Sequence, residues 1–148
     1  VVSVVDFFFT TCPTICIDMT TNLREIQSFF LEDNSKVQIM SFTVDPETDT
    51  PETLLQYAYD NNVNSNSWNL VTGDKKIIYE LARKGLMVTA TEGDGGEDDF
   101  IHDNKFVLVD REKRIRGYYD GTSQEDTERL KKDIQKLLVS YIIPHKEQ

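Results

Sequence analysis

Cysteine is scarce in this chain: two of 148 residues, Cys12 and Cys16. A bridge between positions this close would close too short a loop to restrain the unfolded chain. The pair is therefore no disulfide scaffold, and redox chemistry or metal binding explains it better than stability does. Long apolar runs are also missing. No window approaches the roughly eighteen residues a membrane-spanning helix needs. Basic charge is short as well, because 16 Lys and Arg face 26 Asp and Glu for a net charge of −10. That balance argues against binding a phosphate backbone, which takes Lys and Arg concentrated on one face. Histidine occurs only twice, and no repeat, linker or low-complexity segment breaks the chain. What is plentiful is core material: eight Phe, six Tyr and one Trp in a chain that is 39% hydrophobic. That is enough for one domain spanning residues 1–148 with a real core.

The opening run Val1 to Phe9 is nearly all apolar and reads as a strand buried on both faces. Because the chain opens inside such a run, an upstream part with a targeting or anchoring segment is expected. After Pro13, the residues Cys16, Met19, Leu23, Ile26 and Phe30 recur at helical spacing, with Pro13 suited to the first turn. Val37 to Val44 is the next strand. A polar loop, Asp45 to Asp49, follows it, and then Thr50-Pro51-Glu52 starts a helix as cap, first-turn proline and first-turn acid. A short strand at Trp68 to Val71 leads into a helix with Ile77, Ile78 and Leu81, closed by Gly85. The acidic, Gly-rich stretch Glu92 to Asp99 reads as a mobile loop. Phe106 to Val109 and Ile115 to Tyr119 form a hairpin whose turn is 111–114. Thr122 or Ser123 caps a last helix carrying Leu130, Ile134, Leu137, Leu138 and Tyr141, ended by Pro144. The order β-α-β-α-β-α-β-β-α implies an α/β domain with a central mixed sheet, helices on both faces and a C-terminal hairpin followed by a helix.

Cys12 and Cys16 follow a buried strand and open a helix. Unpaired N–H groups and positive potential there favour thiolate over thiol, and a thiolate can attack a disulfide or bind a soft metal. The plain alternative is two small hydrophobes, since Cys16 falls on the apolar stripe, although Cys12 lies before it. His145 sits in the polar tail and is set aside. His102 lies before the strand at Phe106, where loops can meet the cysteines across the sheet edge; taken alone it reads equally as a surface histidine. Two thiolates and an imidazole suit Cu(I), which tolerates low coordination. Structural zinc would need a fourth protein ligand. Catalytic zinc with a bound water, and thiolate chemistry without metal, both stay open.

Three ordered segments carry a resemblance: Phe8-Phe9-Thr10-Thr11-Cys12-Pro13-Thr14-Ile15-Cys16, Phe42-Thr43-Val44-Asp45-Pro46-Glu47-Thr48-Asp49-Thr50-Pro51, and Ile101-His102-Asp103. Together they resemble the SCO (SenC/PrrC) family of copper-binding, thioredoxin-like proteins of cytochrome c oxidase assembly, over essentially the whole chain. The resemblance implies a thioredoxin-like fold and copper, as Cu(I) or Cu(II), bound by Cys12, Cys16 and His102. It makes Asp45 a candidate for tuning the site. It also implies an N-terminal hairpin upstream and an anchor holding the domain on the periplasmic side of the inner membrane.

Three positions depart from the family pattern. Thr14 stands where an acid or amide is common, Ile17 where proline follows the second cysteine, and Asp103 where a small hydroxyl residue follows the histidine. None removes an implied ligand. Asp103 can raise the basicity of the imidazole if it reaches the second ring nitrogen, or simply face water. The leading expectation is a metallochaperone that passes copper to an oxidase subunit, with a copper donor protein or a thiol reductant as a further partner. The alternative is a thiol-disulfide oxidoreductase acting on cysteines of that subunit or another extracytoplasmic target, needing Cys12 and Cys16 as a redox dithiol but not His102. A copper or redox sensor is the third class, and peroxide reduction a more distant one. The acidic loop reads first as a solvated loop with no role; the sharper reading is that its motion lets His102 swing toward the thiolates. Arg111, Lys113, Arg114 and Arg116 cluster on the hairpin, as an ordinary charged turn or as a contact for an acidic partner.

Overall fold

The computed structural model describes residues 1–12, 15–33 and 35–142, so the readings of Pro13, Thr14, Pro144 and His145 lie outside the described residues. The elements are β1 (Val2–Phe8), α1 (Ile15–Phe29), β2 (Val37–Thr43), α2 (Pro51–Asp60), β3 (Trp68–Val71), α3 (Lys75–Glu80), β4 (Lys105–Val109), β5 (Ile115–Asp120) and α4 (Gln124–Ile142). This is the order expected from the sequence. A single 3₁₀ turn, Leu31–Asp33, follows α1, and a π turn, Leu81–Gly85, follows α3.

The apolar opening run becomes the central strand. The sheet order is β3-β2-β1-β4-β5. β1 runs parallel to β2, from Val2 beside Val37 to Phe8 beside Thr43, and antiparallel to β4, with Val4 beside Leu108. Alternation along β1 then builds two cores. Val2 and Val4 pack with Ile39, Phe106 and Leu108 against Met19, Leu23 and Ile26 of α1 and Leu130 and Ile134 of α4. Val5, Phe7 and Val107 on the other face meet Ile78, Tyr79 and Ala82, with Val88 and Ile101. Each such side chain contributes about 1.5–3 kcal/mol of burial. Leu54 of α2 closes a third cluster with Phe8 and Cys16 at the C-terminal end of β1.

Local signals place the helix starts. Thr50 accepts a hydrogen bond from Thr53 N–H at 3.3 Å ahead of Pro51. Asp74 does the same for Lys76 N–H at 2.9 Å. At α4 the cap is Ser123, whose Oγ accepts from Asp126 N–H at 3.0 Å, while Thr122 bonds Asp120 instead. Ser123→Ala is expected to cost about 1 kcal/mol, read as a lower midpoint in chemical unfolding. In the hairpin, the buried Asp110 carboxylate accepts from Glu112 N–H, Arg114 N–H and Arg116 Nη1, and Arg111 lies over the Tyr141 ring. Two members of the basic cluster therefore have partners within the chain.

The acidic stretch read as a mobile loop carries ordered contacts at its end. Asp99, at its end, is held in a two-pronged ion pair by Arg83 at 2.6 and 2.8 Å and accepts from Gly95 N–H at 2.9 Å. Lys75 Nζ donates to Gly96 O at 2.7 Å. Charges of opposite sign on α3 and the π turn thus fasten the stretch that precedes His102.

Candidate functional site

The cysteines sit where β1 gives way to α1. Cys12 N–H donates to Phe9 O at 3.2 Å, closing a turn over Thr10 and Thr11. Cys16 lies in the first turn of α1, buried against Phe8 and Leu54 with 6% of its surface exposed; Cys12 is half-buried beside it, and both are free thiols. The expectation that the helix start favours thiolate fails at Cys16. Burial pushes its thiol up to about 12, and the hydrogen bond with Cys12 pushes the same way. The half-exposed Cys12 is the more accessible sulfur.

His102 reaches the same place from the segment before β4. A small cleft of about 30 Å³ is lined by Cys12, Cys16, His102 and Asp103, with Phe9, Val44 and Ile101 among its apolar walls. Larger hollows elsewhere, such as one of about 250 Å³ beside Lys36, Arg111 and Tyr141, gather no thiol or imidazole. The exposed His102 ring is held by aromatic contact: its centroid lies 4.8 Å from that of Phe100 and 5.9 Å from that of Phe9, and Phe9 meets Phe100 edge-on at 5.0 Å. Among the described residues, no three His, Cys, Asp or Glu side chains stand together closely enough to hold a metal ion. Thiols and imidazole thus share a cleft without forming a finished coordination sphere.

The two acids singled out in sequence are placed differently. Asp103 lines the cleft, but its carboxylate accepts from Lys105 N–H and Nζ, both at 3.2 Å, and not from His102. Asp45 is not among the cleft residues. Its backbone carbonyl accepts from Thr48 and Asp49 N–H, closing the loop after β2. The carboxylate that does reach the cysteine turn belongs to Asp49, which was not singled out. Asp6 was missed as well. It lies in β1 with 1% of its surface exposed and accepts from Ser41 Oγ, which in turn accepts from Trp68 Nε1 at 3.0 Å. Burial raises its carboxyl to about 7, with the Asp103 charge adding to the rise. The available signal was an acid in the middle of a run read as buried on both faces.

Against this geometry, the SCO1/SenC family model matches residues 1–139. The chain belongs to the SCO1/SenC family. An SCO1 homolog of Bacillus subtilis is 32% identical over 130 residues, covering 87% of this chain and 67% of that protein. A Stutzerimonas stutzeri protein named for copper binding is 30% identical over 118 residues, covering 76% of this chain and 54% of that one. The chain thus spans between about half and two thirds of these relatives' lengths. Among solved structures, an SCO1/SenC family lipoprotein from Bacillus anthracis matches with a TM-score of 0.76 and 31% identity, over 93% of this chain and 81% of that one. A structure of BsSco, a Sco-family cytochrome c oxidase assembly protein with a disulfide switch, matches with a TM-score of 0.76 and 30% identity, over 93% and 80%. These SCO1/SenC neighbours share the thioredoxin-like arrangement of sheet and helices described above.

Proposed function

We propose that this SCO1/SenC protein carries copper, bound by the sulfurs of Cys12 and Cys16 and a ring nitrogen of His102, and hands it to a copper-accepting subunit of cytochrome c oxidase. The observation that carries the reading is the meeting of two thiols and one imidazole in a single cleft from segments far apart in the sequence. Thiolates and imidazole form a soft donor set suited to Cu(I). Copper must displace the thiol protons as it binds, because only the thiolate is a ligand. A three-ligand site leaves room for an incoming thiolate of the acceptor, so the ion moves by ligand exchange without being set free. The Bacillus anthracis relative's being a lipoprotein supports a membrane-tethered, extracytoplasmic setting. No helix among the described residues is long and apolar enough to cross a membrane.

Titration of the reduced protein with Cu(I), followed by X-ray absorption, tests the reading. One copper per chain with two sulfur ligands and one nitrogen ligand is expected. Cys12→Ser is expected to abolish tight binding, and His102→Ala to remove the nitrogen ligand. Binding indifferent to both substitutions overturns it.

A second reading is favoured by the disulfide switch of the BsSco relative and by the unequal exposure of the two sulfurs. Here the Cys12 thiolate attacks a target disulfide to form a mixed disulfide. That step releases one target sulfur as a thiolate; Cys16 then attacks the Cys12 sulfur and expels the other, leaving a Cys12–Cys16 disulfide and a reduced target. A thiol reductant resets the pair. Full target reduction by His102→Ala separates this activity from copper delivery.

A further inference from the structure

Phe9 to Cys12 belong to neither sheet nor helix, yet they set where the Cys12 sulfur stands. Its own turn is closed by one long bond, Cys12 N–H to Phe9 O. The firm contacts come from 39 residues away. Thr10 N–H donates to Asp49 Oδ2 at 3.1 Å, and Thr10 Oγ1 donates to Asp49 Oδ1 at 2.5 Å. Asp49 is itself fixed from the sheet: Thr43 Oγ1, at the end of β2, donates to its Oδ2 at 2.6 Å. Its backbone N–H donates to Asp45 O at 2.8 Å, and the next residue, Thr50, caps α2. None of the Asp49 surface is exposed. A carboxylate taken out of water persists only where donors replace the lost hydration, and hydrogen bonds to a charged acceptor are the strong ones.

We infer that Asp49 is a positioning residue for the dithiol: its buried carboxylate ties the Thr10 backbone and hydroxyl to the end of β2 and thereby fixes the Cys12 sulfur relative to Cys16. The chain of contacts runs from sheet to Thr43, to Asp49, to Thr10, to the turn that ends on Cys12. Ligand geometry has to hold within about half an ångström to be productive, and among the described residues the turn itself offers the Cys12 N–H to Phe9 O bond alone. The inference rests on Cys12 and Cys16 acting as a pair, as both readings above require.

The test compares Thr10→Val, Asp49→Leu and Asp49→Asn in the full chain, with Ser123→Ala as a control that weakens a remote helix cap. Two readouts are taken: Cu(I) affinity with the sulfur-to-copper charge-transfer spectrum of the Cu(II) form, and the rate at which Cys12 attacks a small aromatic disulfide reagent. Asp49→Leu and Thr10→Val are expected to lower copper affinity about tenfold or more, the usual range for groups that orient ligands, and to shift both spectrum and thiol rate. Asp49→Asn keeps a carbonyl oxygen for Thr10 N–H and Thr43, and its amide can donate to a reoriented Thr10 hydroxyl, so it is expected to stay within a few-fold of wild type. Ser123→Ala is expected to change neither readout. Wild-type spectra and rates in Thr10→Val overturn the inference, as does Asp49→Asn impaired as badly as Asp49→Leu. If the wild-type protein binds no copper, the copper reading fails and the thiol rate alone decides the role of Asp49.

Discussion

Replacing Asp6 by Asn is expected to remove a fall in stability of a few kcal/mol that the wild-type protein undergoes between about pH 4 and pH 7. Burial in the central strand raises this carboxyl from 3.8 to about 7, and the hydrogen bond from Ser41 only partly offsets the rise. Below pH 3.8 the group is protonated in both folded and unfolded chains, so the stability of the neutral form is fully present. Between the two values the unfolded chain releases the proton while the folded chain keeps it. Stability therefore drops by about 1.4 kcal/mol per pH unit, up to roughly 4 kcal/mol, and is lost as pH rises through about 7. Carboxylates held below their usual values, such as Asp99 and Asp120, contribute with the opposite sign and at lower pH. The informative quantity is thus the wild-type profile minus that of Asp6→Asn, measured by urea unfolding at a series of pH values. Trp68 gives an independent reading. It is the single tryptophan, and its indole N–H reaches Asp6 through Ser41. Its fluorescence should change with a midpoint near pH 7 in the wild type and stay flat in the variant. A difference profile with no slope between pH 4 and 7 would show Asp6 ionised in the fold. The charge of Asp6 also weighs against the Cys16 thiolate, so the same variant should ease deprotonation at the dithiol.

Asp6 illustrates which parts of the molecule the sequence disclosed. The order of strands and helices was legible because it follows from periodicity: the run Val1 to Phe9, the stripe from Cys16 to Phe30 and the Thr50-Pro51 start each have one reading. The cleft was only half legible. Cys12 and Cys16 announced themselves by spacing, whereas His102 was tied to them by family likeness and by its place at a strand end. The acids were the hard part, because their role depends on the direction in which each side chain leaves the backbone. Asp45 and Asp49 occupy one loop, and only the fold turns Asp49 inward while Asp45 contributes its carbonyl. Asp103 looked like a partner for the neighbouring imidazole, but the strand that begins at Lys105 offers a nearer N–H and ammonium group. Asp6 drew no reading of its own within a nearly apolar run, and only the cross-strand neighbour Ser41 explains how the interior holds it. Composition made the stretch from Glu92 to Asp99 look loose; what fastens it is a cation sixteen residues back, at a spacing with no local periodicity.

That cation, Arg83, is where the second large effect is expected. Arg83→Ala should destabilise the protein by about 2–3 kcal/mol, since hydrogen bonds to charged groups are worth about 1.5–3 kcal/mol and this pair is only partly open to water. Arg83 and Asp99 expose only 12% and 10% of their side chains, and the guanidinium uses both Nη atoms on the carboxylate. The hydrogen bonds from Arg83 hold Asp99 down to about 2, so its contribution is present above pH 3.8 and lost as pH falls through about 2. Removing the arginine leaves a carboxylate with Gly95 N–H as its remaining hydrogen-bond donor. Removing both charges should cost less than the sum of the two single changes, because neither partner is then left unpaired. Arg83→Ala/Asp99→Ala against each single variant isolates that coupling by urea unfolding. The effect should extend to the cleft. Arg83 lies over the ring of Tyr79, whose hydroxyl donates to Val44 O at 2.6 Å and accepts from Ile101 N–H at 3.4 Å, and both Val44 and Ile101 line the cleft with His102. Amide exchange at Gly95 and Ile101 should therefore quicken in Arg83→Ala while the strands of the central sheet keep their protection. A loss below 1 kcal/mol with unchanged exchange at both amides would mean that something other than this ion pair holds the segment leading to the imidazole.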